Sequence, residues 1–275
     1  MIKFSALNGD ETCSMTDLDV QTILTAFQRA DLPEPRFRGF ETIASTNDAA
    51  LAWLAEAEAP PDLAFVVAGQ QTRGRGRMGR TWVTSATGAL TVSFIVHPPA
   101  SALTRLPLLG ALVVCAALAD FGVSAAIKWP NDVQIDGLKI AGVLAEASWI
   151  GDVLRGAVVG IGVNLNEDFT GTPLAATAGS VTPLTGRAIG RAELLAALYR
   201  HLAHWFARID DAACFEAWRA RLNMIGQPVR VTHGPDGSGL IEGLAEAVDR
   251  DGALIVRLAD GQTQRLIAGD VTRLA

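Results

Sequence analysis

Four arginines crowd into the eight residues RGRGRMGR, at Arg73, Arg75, Arg77 and Arg80, with glycines between them. Glycine lets the backbone approach a ligand closely, and the guanidinium fork grips phosphate or carboxylate oxygens two at a time. Between Asp62 and Asp120 the chain has no Asp or Glu, so nothing nearby in sequence neutralises these charges. The loop is therefore expected to meet a phosphorylated ligand or a reaction that builds negative charge. A second group is KWPND, Lys128 to Asp132, where Pro130 cannot donate to a sheet ladder and marks an edge or irregular position beside Asn131 and Asp132. Lys139 stands between Leu138 and Ile140, just past the Asp136-Gly137 turn, and a charge in a core strand calls for a partner.

The stretch GRGRMG has the glycine spacing of a dinucleotide-binding loop, but that site also needs a helix after the loop and an acid about 20 residues on. Here RTWVTSATGALTVSFIV is strand-forming, and the acid has no candidate. A Walker A loop lacks its Gly-Lys-Ser/Thr ending. An RGG-type RNA-binding tail belongs in disordered sequence, whereas this loop lies between apolar runs. A solvated basic turn is the bland alternative.

The elements that must hold these groups can be read from periodicity. A helix is expected from Met15, with Val20, Ile23, Leu24 and Phe27 on one face and a capping box formed by Thr16 and Asp19. Residues 1–14 lack periodicity and read as a disordered leader. Ser45, Thr46 or Asn47 can cap a second helix through Leu51 and Leu54, which gathers polar side chains at a helix start. DLAFVVAGQ and ALTVSFIV read as strands on either side of the arginine loop, and a buried helix follows over about 102–121. The block from Ala126 to Asn166, with KWPND near its start and turns at Asp136-Gly137 and Gly151-Asp152, predicts a three-strand antiparallel meander. Residues 167–190 are turn-rich, and two helices are expected over 191–209 and 212–223. From Ile225 onward, short β-prone runs predict a small β-barrel appended to an α+β body.

Composition sets outer bounds. With 275 residues and 49% of them hydrophobic, the chain can bury a large core and a smaller second one. A net charge of −6 argues against coating nucleic acid, so any basic site is local. Cys13, Cys115 and Cys214 are odd in number and widely spaced, which fits a reducing cytoplasm better than a disulfide framework. No secretory signal opens the chain, and the apolar run Leu106 to Ala119 falls short of the about 20 residues of a membrane span. His201 and His204 share a helix face without a third ligand at matching spacing and are given no chemistry.

GRGRMGRTW, KWPND, LKIAGVLAE and GIGVNLN, in this order and followed by a small β domain, closely resemble the biotin protein ligases from about Phe40 to the C-terminus. The resemblance implies a catalytic domain like that of class II aminoacyl-tRNA synthetases over residues 15–223, with a mixed or antiparallel sheet and helices. An SH3-like domain is implied over 224–275. It also implies synthesis of biotinyl-5′-AMP from biotin and ATP with Mg²⁺, then transfer of biotin to one lysine of a biotin carboxyl carrier protein domain.

By the same resemblance, Ser45, Thr46, Asn47, Gln71, Gly74, Arg75 and Gly142 should bind biotin, with Ser45, Thr46 and Gln71 at its ureido head. Arg77, Arg80, Trp82, Asn131, Lys139 and Asn164 should hold ATP and the adenylate. Lys139, Arg77 and Asp132 should act in catalysis, with Asp132 near the metal and Lys139 bridging the carboxylate and the α-phosphate. Arg73 stands where many relatives have Ala. About 40 residues precede the matching region, without the helix-turn-helix pair of the relatives that repress transcription, so neither DNA nor membrane is expected as a partner. Monomer and homodimer are both open. The rival readings are a lipoyl or octanoyl ligase or transferase of the same fold, and a noncatalytic biotin or nucleotide sensor.

Overall fold

The computed structural model describes residues 3–4, 17–234 and 238–274. The chain runs β1 (Lys3–Phe4), α1 (Val20–Arg29), β2 (Phe37–Ile43), α2 (Thr46–Leu54) and β3 (Phe65–Gln71) into the arginine loop. There β4 (Gly74–Arg75) and β5 (Thr81–Trp82) pair across a 3-10 turn at Arg77–Gly79, and β6 (Ala89–Val96) follows. A 3-10 stretch, Ala100–Arg105, leads into α3 (Leu106–Asp120), then β7 (Ala126–Lys128), β8 (Asp132–Ile135), β9 (Leu138–Ile150) and β10 (Val153–Asn164). After α4 (Val181–Thr185), α5 (Arg191–Phe206) and α6 (Ala212–Arg219) come five short strands. These are β11 (Pro228–His233), β12 (Gly239–Val248), β13 (Leu254–Arg257), β14 (Thr263–Leu266) and β15 (Asp270–Arg273).

The main sheet has the order β1-β2-β3-β6-β10-β9-β8-β7. Its first three strands are parallel and the rest antiparallel. Side chains alternate between its faces. Val66, Ile95 and Val158 pack with Ala50, Trp53 and Leu54 of α2. Their neighbours Phe65, Val67, Phe94, Val96 and Val159 join the larger core with α1, α3 and α5 on the opposite face. In that core Phe65 stacks on Phe37 at 5.2 Å between ring centroids and meets Phe94 edge-on at 5.6 Å, contacts worth about 0.5–1.5 kcal/mol each beyond the area they bury.

The last five strands form a separate antiparallel sheet, β14-β13-β12-β11-β15, whose Val229, Val231, Leu254 and Val256 continue the same core. Its β12–β13 turn sits directly on the larger domain. Trp129 Nε1 donates to Gly252 O at 2.7 Å, and a Cβ on Gly252 would stand 2.1 Å from Leu108 of α3.

Several sequence expectations need correction. Helix α1 begins at Val20, and Asp19 is itself the N-cap, accepting from Thr22 N at 2.8 Å. A carboxylate at the cap does for the Thr22 amide what a Thr16 hydroxyl was expected to do for the Asp19 amide, one turn earlier, and Thr16 lies outside the described residues. Within the expected leader, Lys3–Phe4 pair with Arg38–Gly39 as an edge strand, while residues 5–16 lie outside the description. The meander has four strands, because the chain turns within KWPND and splits the expected first strand into β7 and β8, which pair. The 3-10 stretch extends the apolar helical segment to Ala100–Asp120, 21 residues and long enough to cross a membrane, but 72% of its most apolar window is buried within the fold.

Candidate active site

Strand β10 makes the floor. Val158 lies under α2, and alternation then presents Gly160, Gly162 and Asn164 on the same face, opposite Leu144 and Gly142 of β9 for the two glycines. Without side chains there, the sheet leaves room for a cavity of about 700 Å³, a normal size for a small-molecule site. The glycines are required: a Cβ on Gly160 would stand 2.1 Å from Asn47 Oδ1, and one on Gly162 2.4 Å from the Trp82 ring.

The start of α2 supplies one end of the cavity. Ser45 is the N-cap, its hydroxyl accepting from Asp48 N at 3.3 Å. Gln71 Oε1 accepts from both the amide and the hydroxyl of Thr46, at 2.7 and 3.1 Å. Asn47 Nδ2 donates to Glu146 Oε2 at 2.7 Å and to Leu144 O at 3.3 Å. Behind them the fully buried Ser93 hydroxyl lies 2.8 Å from Thr46 Oγ1 and 2.6 Å from Asn47 Oδ1. This end is polar, neutral and rigidly oriented, suited to a small uncharged group rich in donors and acceptors.

The other end is cationic. Lys139 Nζ pairs with Asp132 Oδ1 at 2.7 Å and sits 5.8 Å from the Trp82 ring centroid. Arg77 donates to Asn131 Oδ1 at 2.8 Å, and Asn131 Nδ2 donates to Val143 O at 2.5 Å. Among the described residues Arg77 has no ion-pair partner. Burial draws it below the usual guanidinium value, against the opposing fields of Asp132 and Asp270. A half-buried arginine whose nearby carboxylates do not contact it directly is ready for an incoming anion. Two cavity-lining residues each bury an unpaired polar atom, Trp82 Nε1 and Asn164 Oδ1, although Asn164 Nδ2 donates to Gly179 O at 3.1 Å.

Two of the other loop arginines, Arg75 and Arg80, already have carboxylates, contrary to the expectation from local sequence. Arg75 is gripped by Glu146 through two bonds of 2.9 and 2.8 Å and by Asp48 at 2.6 Å. The hydrogen bonds to Glu146 chiefly raise its pKa, and the guanidinium is a latch between α2 and β9. Arg80 pairs with Asp270 at 2.7 Å. Gly74 does not itself line the cavity; its missing side chain admits the Trp82 carbonyl, 2.4 Å from a would-be Cβ. Arg73 is exposed and outside the cavity. All the remaining expected site residues line the cavity.

Sequence reasoning missed Ser93, Glu146 and Asp270. Glu146 closes the LKIAGVLAE motif and Ser93 sits mid-strand in ALTVSFIV, two available signals; Asp270 carries none. His201 pairs with Asp120 at 2.7 Å, while His204 packs edge-on against Trp205.

Comparison with known proteins agrees with this geometry. The Biotin/lipoate A/B protein ligase family matches residues 39–164, and the Biotin protein ligase C terminal domain matches residues 224–273. The biotin–(acetyl-CoA-carboxylase) ligase of Paracoccus denitrificans is 38% identical over 209 residues, 70% of this chain and 84% of that protein. The Mycobacterium tuberculosis protein of the same name is 32% identical over 251 residues, 86% of this chain and 90% of its own. The Aquifex aeolicus biotin protein ligase, solved in complex with biotin and ATP, superposes with a TM-score of 0.73 at 25% identity, covering 87% of this chain and 98% of that one. The chain belongs to the biotin protein ligase family, and it is a biotin–protein ligase.

Proposed function

We propose that the cavity activates biotin with ATP to biotinyl-5′-AMP and then passes the biotinyl group to a lysine of a biotin carboxyl carrier protein domain. The supporting observation is the polarity of the cavity: a neutral hydroxyl and amide end at Ser45, Thr46, Asn47 and Gln71 joined by a glycine floor to a cationic end at Arg77 and Lys139. The ureido head belongs at the first end and the carboxylate with the α-phosphate at the second.

In the first step a biotin carboxylate oxygen attacks the α-phosphorus, a P–O bond forms, and the bond to the leaving pyrophosphate breaks. Lys139 and Arg77 offset the negative charge that gathers there, and their fixed placement aligns the attack. In the second step the carrier lysine amine attacks the acyl carbon, an amide forms, and AMP leaves. Asp132 is placed to receive the amine proton. Asn131 holds Arg77 in place, Arg80 reaches the phosphate end, and Trp82 and Asn164 offer their unpaired atoms to the adenine end.

Mg²⁺ fits as an ion carried by the nucleotide. The described residues contain no cluster of three or more His, Cys, Asp or Glu suited to a metal, and Asp132 supplies a single carboxylate. Magnesium is commonly held by one or two carboxylates plus substrate phosphates. When bound, it supplies charge neutralisation on the phosphates.

The mixed sheet with its helices supports a class II aminoacyl-tRNA synthetase-like domain over residues 15–223. The five short strands support an SH3-like domain over 224–275. Buried thiols at Cys115 and Cys214 support a cytoplasmic setting, and the net charge of −6 supports a protein without a DNA partner. One mixture tests the reading: protein, ATP, Mg²⁺, a carrier domain and either biotin or lipoate, followed by intact mass of the carrier. A biotin adduct is expected; equal lipoate transfer, or no biotin adduct, overturns it.

A further inference from the structure

Arg191, the first residue of α5, buries its charge away from the cavity. It is 2% exposed and does not line the site. Its Nη1 donates to the carbonyls of Gly69 at 3.3 Å, Ala86 at 3.0 Å and Ala89 at 3.4 Å. Its Nε donates to Asp17 at 2.7 Å, and Nη2 binds the same carboxylate. Burying a guanidinium is costly unless its donors are used, and here the acceptors have one thing in common. Gly69 lies in β3 just before the arginine loop, while Ala86 and Ala89 lie where the loop re-enters the sheet at β6. One charged group therefore ties both roots of the segment that carries Arg75, Arg77, Arg80 and Trp82.

We infer that Arg191 is a positioning residue for the adenylating reaction, the anchor that holds the arginine loop closed over the cavity. The inference rests on the ligase reading above for its chemical meaning, but the anchoring can be measured without turnover. Lysine at this position keeps a positive charge but has one nitrogen, which cannot serve Asp17 and three carbonyls at once.

The loop itself offers trypsin its sites, Arg73, Arg75, Arg77 and Arg80. Limited digestion of the ligand-free full chain, read by mass spectrometry, should show cleavage at these four rising at least about tenfold in Arg191→Lys, the scale of one lost charge-assisted bond. Cleavage at the exposed Arg219 and Arg250 should not change, and the KM for ATP should rise more than that for biotin. Unchanged loop cleavage overturns the proposal. So does an equal rise at Arg219 and Arg250, which marks general loosening. If Arg191→Lys does not fold, Asp17→Asn is the second variant, its carboxylate being about half exposed, and it should give the same selective pattern; digestion indistinguishable from wild type overturns the anchor. Failure of biotin and ATP to protect the wild-type loop would count against the ligase reading and leave Arg191 untouched.

Discussion

Arg80 of the arginine loop donates to Asp270 at 2.7 Å across 190 residues of sequence, and the other oxygen of the same carboxylate accepts from Lys128 at 2.9 Å. Burial raises the Asp270 pKa, but hydrogen bonds from Lys128 and Arg80 outweigh it and leave the carboxyl below its ordinary 3.8. The contribution is therefore present above about pH 4 and lost as pH falls through the lowered value. Arg80 is 62% exposed, so solvent screens the pair, and Asp270→Asn should cost under about 1 kcal/mol. Thermal melts of both proteins should differ at pH 7 and converge as pH falls through the lowered Asp270 value; a difference that persists once the carboxyl is protonated would rule out the ion pair as its source.

Lys139→Ala should separate chemistry from folding. Its ammonium faces the site with Asp132 as partner, and losing one preorganised stabiliser of transition-state charge typically costs about a hundredfold or more in rate. Biotin-dependent pyrophosphate release should fall by that factor while the melting midpoint moves by only a few degrees. A variant that unfolds while its folded fraction turns over normally would make Lys139 a structural residue.

Gly162→Ala should act through Trp82. The new methyl would stand 2.4 Å from the indole, so the ring must leave its place on the sheet and nucleotide affinity should drop about tenfold. In a Trp82→Ala background the same change should cost little, with a coupling of about 1 kcal/mol or more between the two sites. Additive losses in calorimetric titrations would show that the indole and the floor act independently.

Arg77→Gly should weaken retention of the adenylate more than its synthesis. Arg77 is the loop arginine inside the cavity with no ion-pair partner among the described residues, and Lys139 remains to neutralise phosphate charge. A lost charge-assisted hydrogen bond of about 1.5–3 kcal/mol speeds release by roughly tenfold or more. Escaped biotinyl-5′-AMP would label lysines on a bystander protein with no carrier domain. Normal intermediate formation with unchanged bystander labelling would move the phosphate grip to Arg75 or Arg80.

The sequence made much of this site legible because its groups sit in short motifs. GIGVNLN was one of the motifs carrying the resemblance, though its alternation, which puts Gly160, Gly162 and Asn164 on one face, went unread; Asp136-Gly137 fixed the hairpin that carries Lys139. What remained hidden was the pairing between motifs. Asp48, Glu146 and Asp270 lie far from the loop in sequence, so the arginines looked uncompensated when two of them were already held. Arg191 was harder still. At the start of an amphipathic helix an arginine reads as ordinary surface, and only the fold shows three carbonyls around it. The capping box at Thr16 and Asp19 failed for a local reason: Asp can cap by itself, and the helix began where its carboxylate met Thr22.

The β12–β13 turn locked onto α3, and the cavity wall contributed by Gly269 to Arg273, bear on the order in which the protein is made. A ribosome delivers Ser45, the arginine loop and the glycine floor well before the strand bearing Asp270. While the chain is still being synthesised, the nucleotide end of the cavity lacks a wall, and Arg80 and Lys128 lack the carboxylate that orients them. Biotinyl-5′-AMP reacts with amines, so a cavity that needs the strand bearing Asp270 for its wall cannot hold that intermediate before the strand is in place.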